Sequence, residues 1–453
     1  MIPSCIFDLA RGTAAFKLKR KPGFWQILFF LSLWLPVSAA NAQACLPDGI
    51  TFGSQAEIDA FPANYPGCIE ISGLTVIRGS DITKLDSLAQ LTALGSGLSI
   101  AYNDSLVSLR GLDNIAFLGA DLIIWQNPAL INLSGLEQLT SINGDLSIWA
   151  NPVLESLHGL DNVAAVSGLL EVSENGALKS LDGLGGLHSV AWDLHLVQNA
   201  SLESLHGLDN LSTVNWFVKI LGNDALTSLS GLDALTYAGA LNIDSNPSLE
   251  SLDGLGNLNA LGGFIRIQHN DALASLNGLS NLVAIGGELS ILNHMSLPSL
   301  SGLDNIDPQS IAYLNIAGNL SLSGCAVQST CEYLAVPENP AVIFMNASNC
   351  ADRATIIAAC EAISIAPTVG AQPTILAFPN PVSQGGELTL YLSSDTGERH
   401  VLRIYSATGQ LLLSQPIQGV QHTVDMSTFP PGIYLFEVMG TASVWRERLV
   451  VAK

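Results

Sequence analysis

A chain of 453 residues that is 48% apolar and 12% charged is long enough for two or three domains and can bury a sizeable core. Its formal net charge is −22. Residues 1–42 hold five basic residues and one acid, so residues 43–453 keep 12 basic and 38 acidic residues, a net of −26. A surface that acidic repels nucleic acid and anionic membranes, which excludes nucleic-acid partners and suits an extracellular medium or neutral partners.

The chain opens on a basic run, KLKRK (Lys17 to Lys21), followed by the apolar FWQILFFLSLWLPV (Phe24 to Val37) and by SAANA ending at Ala42. Basic n-region, short apolar stretch and the A-x-A site Ala40-Asn41-Ala42 read as a secretory signal peptide over residues 1–42, cleaved after Ala42. The apolar stretch has 14 residues, too few to span a bilayer. A lipid anchor on Cys45 fits less well, because Gln43 is bulky and polar for a lipobox. Export permits disulfides. Cys5 leaves with the signal and six cysteines remain, Cys45, Cys68, Cys325, Cys331, Cys350 and Cys360, with none between 69 and 324.

Between them the chain repeats. LESLHGLDN occupies 154–162 and again 202–210. Gly111, Gly135, Gly159, Gly183, Gly207, Gly231, Gly254, Gly278 and Gly302 each precede a Leu, at a spacing of 24 with one step of 23. A second column runs Asn103, Asn127, Asn151, Asn175, Asn199, Asn223, Asn246 and Asn270, slips at His294 with Asn293 one place early, and resumes at Asn319. An apolar-x-apolar triplet precedes each column position, as in Leu98–Ile100, Leu122–Ile124 and Leu146–Ile148. The first coil is read from Leu74–Val76 with Gly79 in the Asn place.

A fixed period near 24 means a solenoid. The triplet has period 2 and is a short strand whose outer two residues point inward. Successive strands stack into a parallel sheet over residues 70–324, about eleven coils. The Asn turns the chain and its amide bonds open backbone groups, and stacked Asn residues bond along the axis. Gly before Leu permits close packing on the far side of the coil. Each coil points about seven apolar residues inward (Leu154, Leu157, Leu160, Val163, Val166, Leu170 and Val172 in one case), which stabilises only a stacked array.

The pattern L-x-S-L-x-G-L-x-x-L-x-x-V, then L-x-I-x-x-N, resembles leucine-rich repeats and more closely the receptor L domain. That resemblance implies a right-handed solenoid and says almost nothing about a ligand. An open solenoid needs caps. Residues 43–69, containing Cys45 to Cys68, read as an N-terminal cap closed by one disulfide. Residues 325–363, with four cysteines and the helical ADRATIIAAC, read as the C-terminal cap. Four cysteines allow three pairings, and local pairs Cys325–Cys331 and Cys350–Cys360 are the expectation. Their spacing is poor for zinc.

SIAPTVGAQP makes residues 364–373 a linker. Residues 374–453 then alternate like the strands of a small sandwich. FPNPV (378–382), IYSATGQLL, VDMSTFPPGIYLFEV and a closing RLVVAK, in that order, resemble the type A C-terminal sorting domain of the type IX secretion system of Bacteroidetes. Pro379, Asn380, Pro381, Gly409, Asp425, Gly432, Tyr434 and Lys453 sit on that family pattern. The resemblance implies transfer across the outer membrane by the type IX machinery, removal of this domain, and release or attachment to the cell surface.

Motifs for catalysis or a cofactor are missing: no H-E-x-x-H, P-loop, G-x-S-x-G, Rossmann fingerprint or calcium nonapeptide. In the column before each Gly, His158, Asp182 and His206 would lie in a row, with the two His backbones about 10 Å apart. Solvated turn residues are the favoured reading over a metal site. Two places after the Gly the column reads Asp113, Glu137, Asp161, Gly185, Asp209 and Asp233, and later Asp304, and its acids are read as caps of short helical turns rather than calcium ligands. The four solenoid tryptophans fall in two stacked pairs, Trp125 with Trp149 and Trp192 with Trp216. Exposed aromatic rows bind sugars or proteins. For binding the row Trp125/Trp149 is favoured over Trp192/Trp216; the alternative is self-packing along a solenoid face, with Trp192 and Trp216 partly buried at the turn.

The expectation is therefore a mainly β protein: a parallel β-solenoid with disulfide-closed caps and a small C-terminal β-sandwich. It is secreted or displayed at the cell surface, takes no cofactor or metal, and is not an enzyme. It binds glycan or protein through the strand face. A passive structural role in a surface layer is the rival, and an enzyme of unknown type comes third.

Overall fold

The computed structural model describes residues 43–362 and, beyond them, 375–378, 382–383, 386–392, 400–406, 410–417, 421–439 and 444–452. The signal peptide with Ala42, the linker 364–373, and Pro379, Asn380, Pro381, Gly409 and Lys453 lie outside the described residues.

The period of 24 builds a parallel β-solenoid of about 13 coils. One ladder of strands runs the length of the array, from Ile50–Phe52 through Leu122–Trp125 and Leu146–Trp149 to Ala341–Phe344. Pairing is in register, with Leu146 beside Leu122 on one side and Leu170 on the other. A second ladder of two-residue strands, such as Ser141–Ile142 and Ala165–Val166, runs beside it. All seven inward residues of the coil at 154–172 are at most 1% exposed. They belong to one core that continues from Phe52 to Ile356.

Eleven strands of the first ladder lie within 70–324, as the spacing predicts. The caps supply the other two, Ile50–Phe52 and Ala341–Phe344. Each cap is a coil with a helix inserted. In the first, α1 (Gln55–Asn64) starts at Ser54, whose Oγ accepts from Glu57 N, and buries Ile58 and Phe61. In the second, α2 (Gln328–Ala335) and α3 (Arg353–Ala362) flank the last strand.

Two readings are corrected here. The first repeat strand is Thr75–Ile77, with Thr75 beside Leu98 and Ile77 beside Ile100, so Leu74 is exposed rather than inward. Its register is set by the next strand, because Gly79 follows Ile77 by two residues where Asn103 follows Ile100 by three. The C-terminal cysteines pair as Cys325–Cys350 and Cys331–Cys360, not locally. Cys325 and Cys350 are 25 residues apart, close to one coil, so stacking brings them together. Cys331 and Cys360 join α2 to α3. Cys45–Cys68 spans 23 residues in the same manner.

The C-terminal residues form a three-stranded antiparallel sheet and a five-stranded sheet that is antiparallel but for the pairing of Val382–Ser383 with Val444–Ala452. Leu388, Leu390 and Val424 from the first and Leu402, Ile404 and Phe436 from the second share one core, which makes a sandwich.

Candidate binding surface

The buried Asn column is the frame of the strand ends. Each Asn is fully buried. Asn175 donates from Nδ2 to the carbonyls of Ile148 and Ser173 at 2.9 Å, and its Oδ1 accepts from the N of Asn151 at 3.1 Å. The column continues past the slip: His294 itself takes the place, donating from N to Asn319 Oδ1, and Asn346 extends the column into the C-terminal cap. Immediately before this column the chain turns through the left-handed region. Tyr102, Gln126, Ala150, Glu174, Gln198, Ser245, His269 and Asn293 all have φ between 51° and 57°. Gly222 and Gly318 fill the same place in two further coils, but most of these residue types do not announce the turn.

On the strand face, Trp125 and Trp149 are half-buried neighbours with ring centroids 4.5 Å apart and planes at 20°. Tyr102 meets Trp125 edge-on at 4.4 Å, and the Arg78 guanidinium lies 5.2 Å from the Tyr102 ring. This row is packed on itself. Trp192 and Trp216 behave otherwise. They are 61% and 67% exposed, with centroids 6.4 Å apart and planes at 24°. The reading that this pair is partly buried is corrected: it stands at a corner where the preceding coils carry Ala120, Gly144 and Gly168, with Trp192 just before the strand Leu194–Val197 and Trp216 at the register shift inside the longer strand Thr213–Leu221. Gly239 follows, and a Cβ there would lie 2.4 Å from Trp216 O. Asp193 Oδ1 accepts from Phe217 N at 2.9 Å and fixes the backbone beside the pair. Phe217 and Phe264 pack at 5.5 Å next to it, and Arg266, ion-paired to Glu288, lies over Phe264.

Polar groups along the strand ends mostly satisfy one another. Asp244 accepts from Gln268, His269 and Ser245. Burial by itself raises its pKa, and these three hydrogen bonds outweigh it and hold the carboxyl below its usual range. Burial also lowers the pKa of His195, against the attraction of Asp193.

The turn columns resolve into local bonds. His158 Nδ1 lies 2.9 Å from Asp161 and His206 Nδ1 2.8 Å from Asp209, each within its own coil, so each ring pairs with its own coil's carboxylate rather than with Asp182. Among the described residues no three His, Cys, Asp or Glu gather in a metal-holding group. The carboxylates after the glycines accept from the Gly N two places earlier, Asp113 from Gly111 at 2.6 Å and Asp233 from Gly231 at 2.9 Å. They reach backward within the turn and do not cap a helix ahead of them.

In the C-terminal domain, Asp425 ends the strand Gln421–Asp425 and accepts from Ser427 N and Oγ, which holds its carboxyl below the usual range. Gly432 starts the strand Gly432–Met439. Tyr434 is buried, donates its hydroxyl to Pro430 O at 2.6 Å and packs edge-on against Phe429. Turn, strand and buried Tyr thus lock the STFPPGIY segment. Residues 376–452 match the secretion system C-terminal sorting domain. That match supports a secreted protein and implies an interaction with the type IX secretion machinery. Among curated proteins none matches the chain.

Proposed function

We propose that this is a non-catalytic recognition or adhesion protein. It leaves the cell through the type IX machinery and binds glycan or protein on the strand side of its solenoid, at the corner that carries Trp192 and Trp216. In this reading residues 1–42 are removed as a signal peptide. The solenoid is kin to the receptor L domain, and the mature protein is released or held on the outer-membrane surface once its sorting domain is removed. The observation that carries the reading is the pair Trp192/Trp216. Two near-parallel indoles left more than half exposed form an apolar surface that a ligand would cover favourably. Flat indole faces suit the CH faces of sugars and the apolar anchors of proteins.

Depletion of the purified protein by insoluble polysaccharides and matrix proteins tests it. The double variant Trp192→Ala/Trp216→Ala is expected to bind at least about tenfold more weakly, equivalent to ~1.4 kcal/mol, with an unchanged circular dichroism spectrum. Trp125→Ala, at a self-packed site, is expected to lose less. Unchanged binding in both, or no binding to any of these materials, sinks the proposal in favour of a structural role in a surface layer.

A further inference from the structure

The strand ends of four successive coils, those of Asn103, Asn127, Asn151 and Asn175, form a shallow, open depression of about 460 Å³ lined mostly by exposed residues. Its volume falls in the range of small-ligand sites, about 300–1,000 Å³. Tyr102, Gln126, Ala150 and Glu174 reach it from their left-handed turns, and Asp104, Pro128 and Pro152 from the residues after the Asn column. We propose that this pocket binds a short stretch of a neutral polysaccharide lying along the solenoid axis. The inference rests on the reading of the solenoid as a binding surface and deepens it by naming the ligand class, at residues other than the exposed tryptophans.

Three observations carry it. First, the side chains of Asp104, Gln126 and Glu174 make no hydrogen bond among the described residues. At the opposite end of the same edge Asp244, Gln268, His269 and Asn293 satisfy one another. Free acceptors and a free amide around one depression are what sugar hydroxyls require. Second, the carboxylates are spaced along the axis. Asp104 and Glu174 stand three coils apart, about 14 Å at ~4.8 Å per coil. They are too far apart to hold one cation together, and they suit a chain whose hydroxyls recur along its length. The coil repeat is close to the rise of one sugar in an extended β-linked chain, so successive sugars meet successive coils. Third, Pro128, Ala150 and Pro152 give the lining an apolar part that suits the CH faces of pyranose rings.

Charge narrows the choice. No cation lines the pocket, and the chain beyond residue 42 carries a net of −26, so acidic polysaccharides are repelled. A basic peptide would be attracted by the carboxylates, but the one aromatic ring at the pocket, Tyr102, already faces the Arg78 guanidinium and Trp125. A second cation beside that ring would be repelled by Arg78.

The test is calorimetric titration of the full chain with cellohexaose, xylohexaose and mannohexaose. At least one is expected to bind, with affinity reduced about tenfold in Glu174→Ala and in Asp104→Ala, the loss of a hydrogen bond to a charged group. Ala150→Trp, which keeps a side chain at the same backbone turn and fills the pocket, is expected to abolish binding with an unchanged melting temperature. Binding should vary little between low and high salt. Equal affinity in Glu174→Ala and Ala150→Trp, binding by none of the three sugars, or salt-sensitive binding of an oligolysine in their place overturns the inference. If the pocket variants bind as the parent does and Trp192→Ala/Trp216→Ala does not, the pocket assignment fails while the recognition reading stands.

Discussion

The Oδ1 of Asn151 accepts two hydrogen bonds from Asn127, one from its backbone N at 3.0 Å and one from its Nδ2 at 3.1 Å. The Nδ2 of Asn151 in turn donates to the carbonyls of Ile124 and Trp149 at 3.0 and 3.1 Å. One fully buried side chain therefore satisfies backbone groups of its own coil and of its neighbour. Asn151→Ala leaves those groups buried without partners, at about 1–3 kcal/mol each. A loss of roughly 3–6 kcal/mol is expected in urea unfolding. Because each coil is stabilised by its neighbours alone, hydrogen exchange is expected to accelerate first around residues 122–175. Uniform acceleration along the whole solenoid would count against a locally acting column.

Glycines in the repeat are not equivalent, and a paired substitution shows it. Gly183 has φ +113°, and a Cβ there would lie 2.1 Å from the carbonyl carbon of Leu157. Nothing lies within 4 Å of a Cβ built on Gly185. Gly183→Ala is expected to cost on the order of 3 kcal/mol, from a disfavoured backbone and a backbone clash. Gly185→Ala is expected to stay within about 0.5 kcal/mol or to stabilise slightly by restricting the unfolded chain. Thermal melts of the two variants check this, and similar shifts would show that the far-side packing is looser than the geometry implies.

The repeat was legible because a period of 24 can satisfy inward burial, the Gly-Leu contact and the Asn column only by stacking. Leu157, Gly159 and Asn151 each announce their place by residue type. What the sequence hid lies where geometry is imposed by the array. Gln126 and Glu174 adopt left-handed turns because the column behind them demands it, and neither residue type signals a pocket. The exposure of Trp192 was likewise unreadable. An aromatic in a column that holds Gly or Ala in the neighbouring coils can fold inward or stand out, and residue type does not decide between the two. The cysteine pairing was missed because sequence distance was weighed where coil distance decides.

The pairing of the C-terminal cap is open to direct mapping. Peptides of the unreduced protein are expected to link Cys325 to Cys350 and Cys331 to Cys360. The two bonds are expected to differ in consequence. Cys325→Ser/Cys350→Ser removes a bond between stacked coils whose sulfurs are buried in the core, at a cost of roughly 2–5 kcal/mol. Cys331→Ser/Cys360→Ser releases α3 from α2 and is expected to expose α3 to proteolysis with a smaller change in the melt. Recovery of Cys325–Cys331 or Cys350–Cys360 peptides would reject the stacking explanation.

His294 is the one His in the column of Asn side chains from 103 to 319, and it makes stability depend on pH. Its Nδ1 lies 3.0 Å from Asn270 O and its Nε2 3.1 Å from Ile267 O, the carbonyl that an Asn amide would bond at this place. Burial pushes the imidazole below its ordinary pKa, against the pull of those two carbonyls and of Asp271, with His269 adding to the lowering. The folded chain therefore keeps the ring neutral while the unfolded chain takes up a proton near pH 6.5. The unfolded state then binds more protons in acid, so stability is lost as pH falls below about 6.5 and is kept above it. Neutral imidazole also has one N–H for two carbonyls, so only one of the two contacts is a hydrogen bond. His294→Asn restores an amide donor to Ile267 O and an acceptor for Asn270, and it removes the titration. The variant is expected to be about 1–2 kcal/mol more stable than the parent at pH 5, with a smaller advantage at pH 8, by urea midpoints at both values. An advantage that does not shrink between pH 5 and pH 8 would show that packing, and not protonation, separates the two side chains.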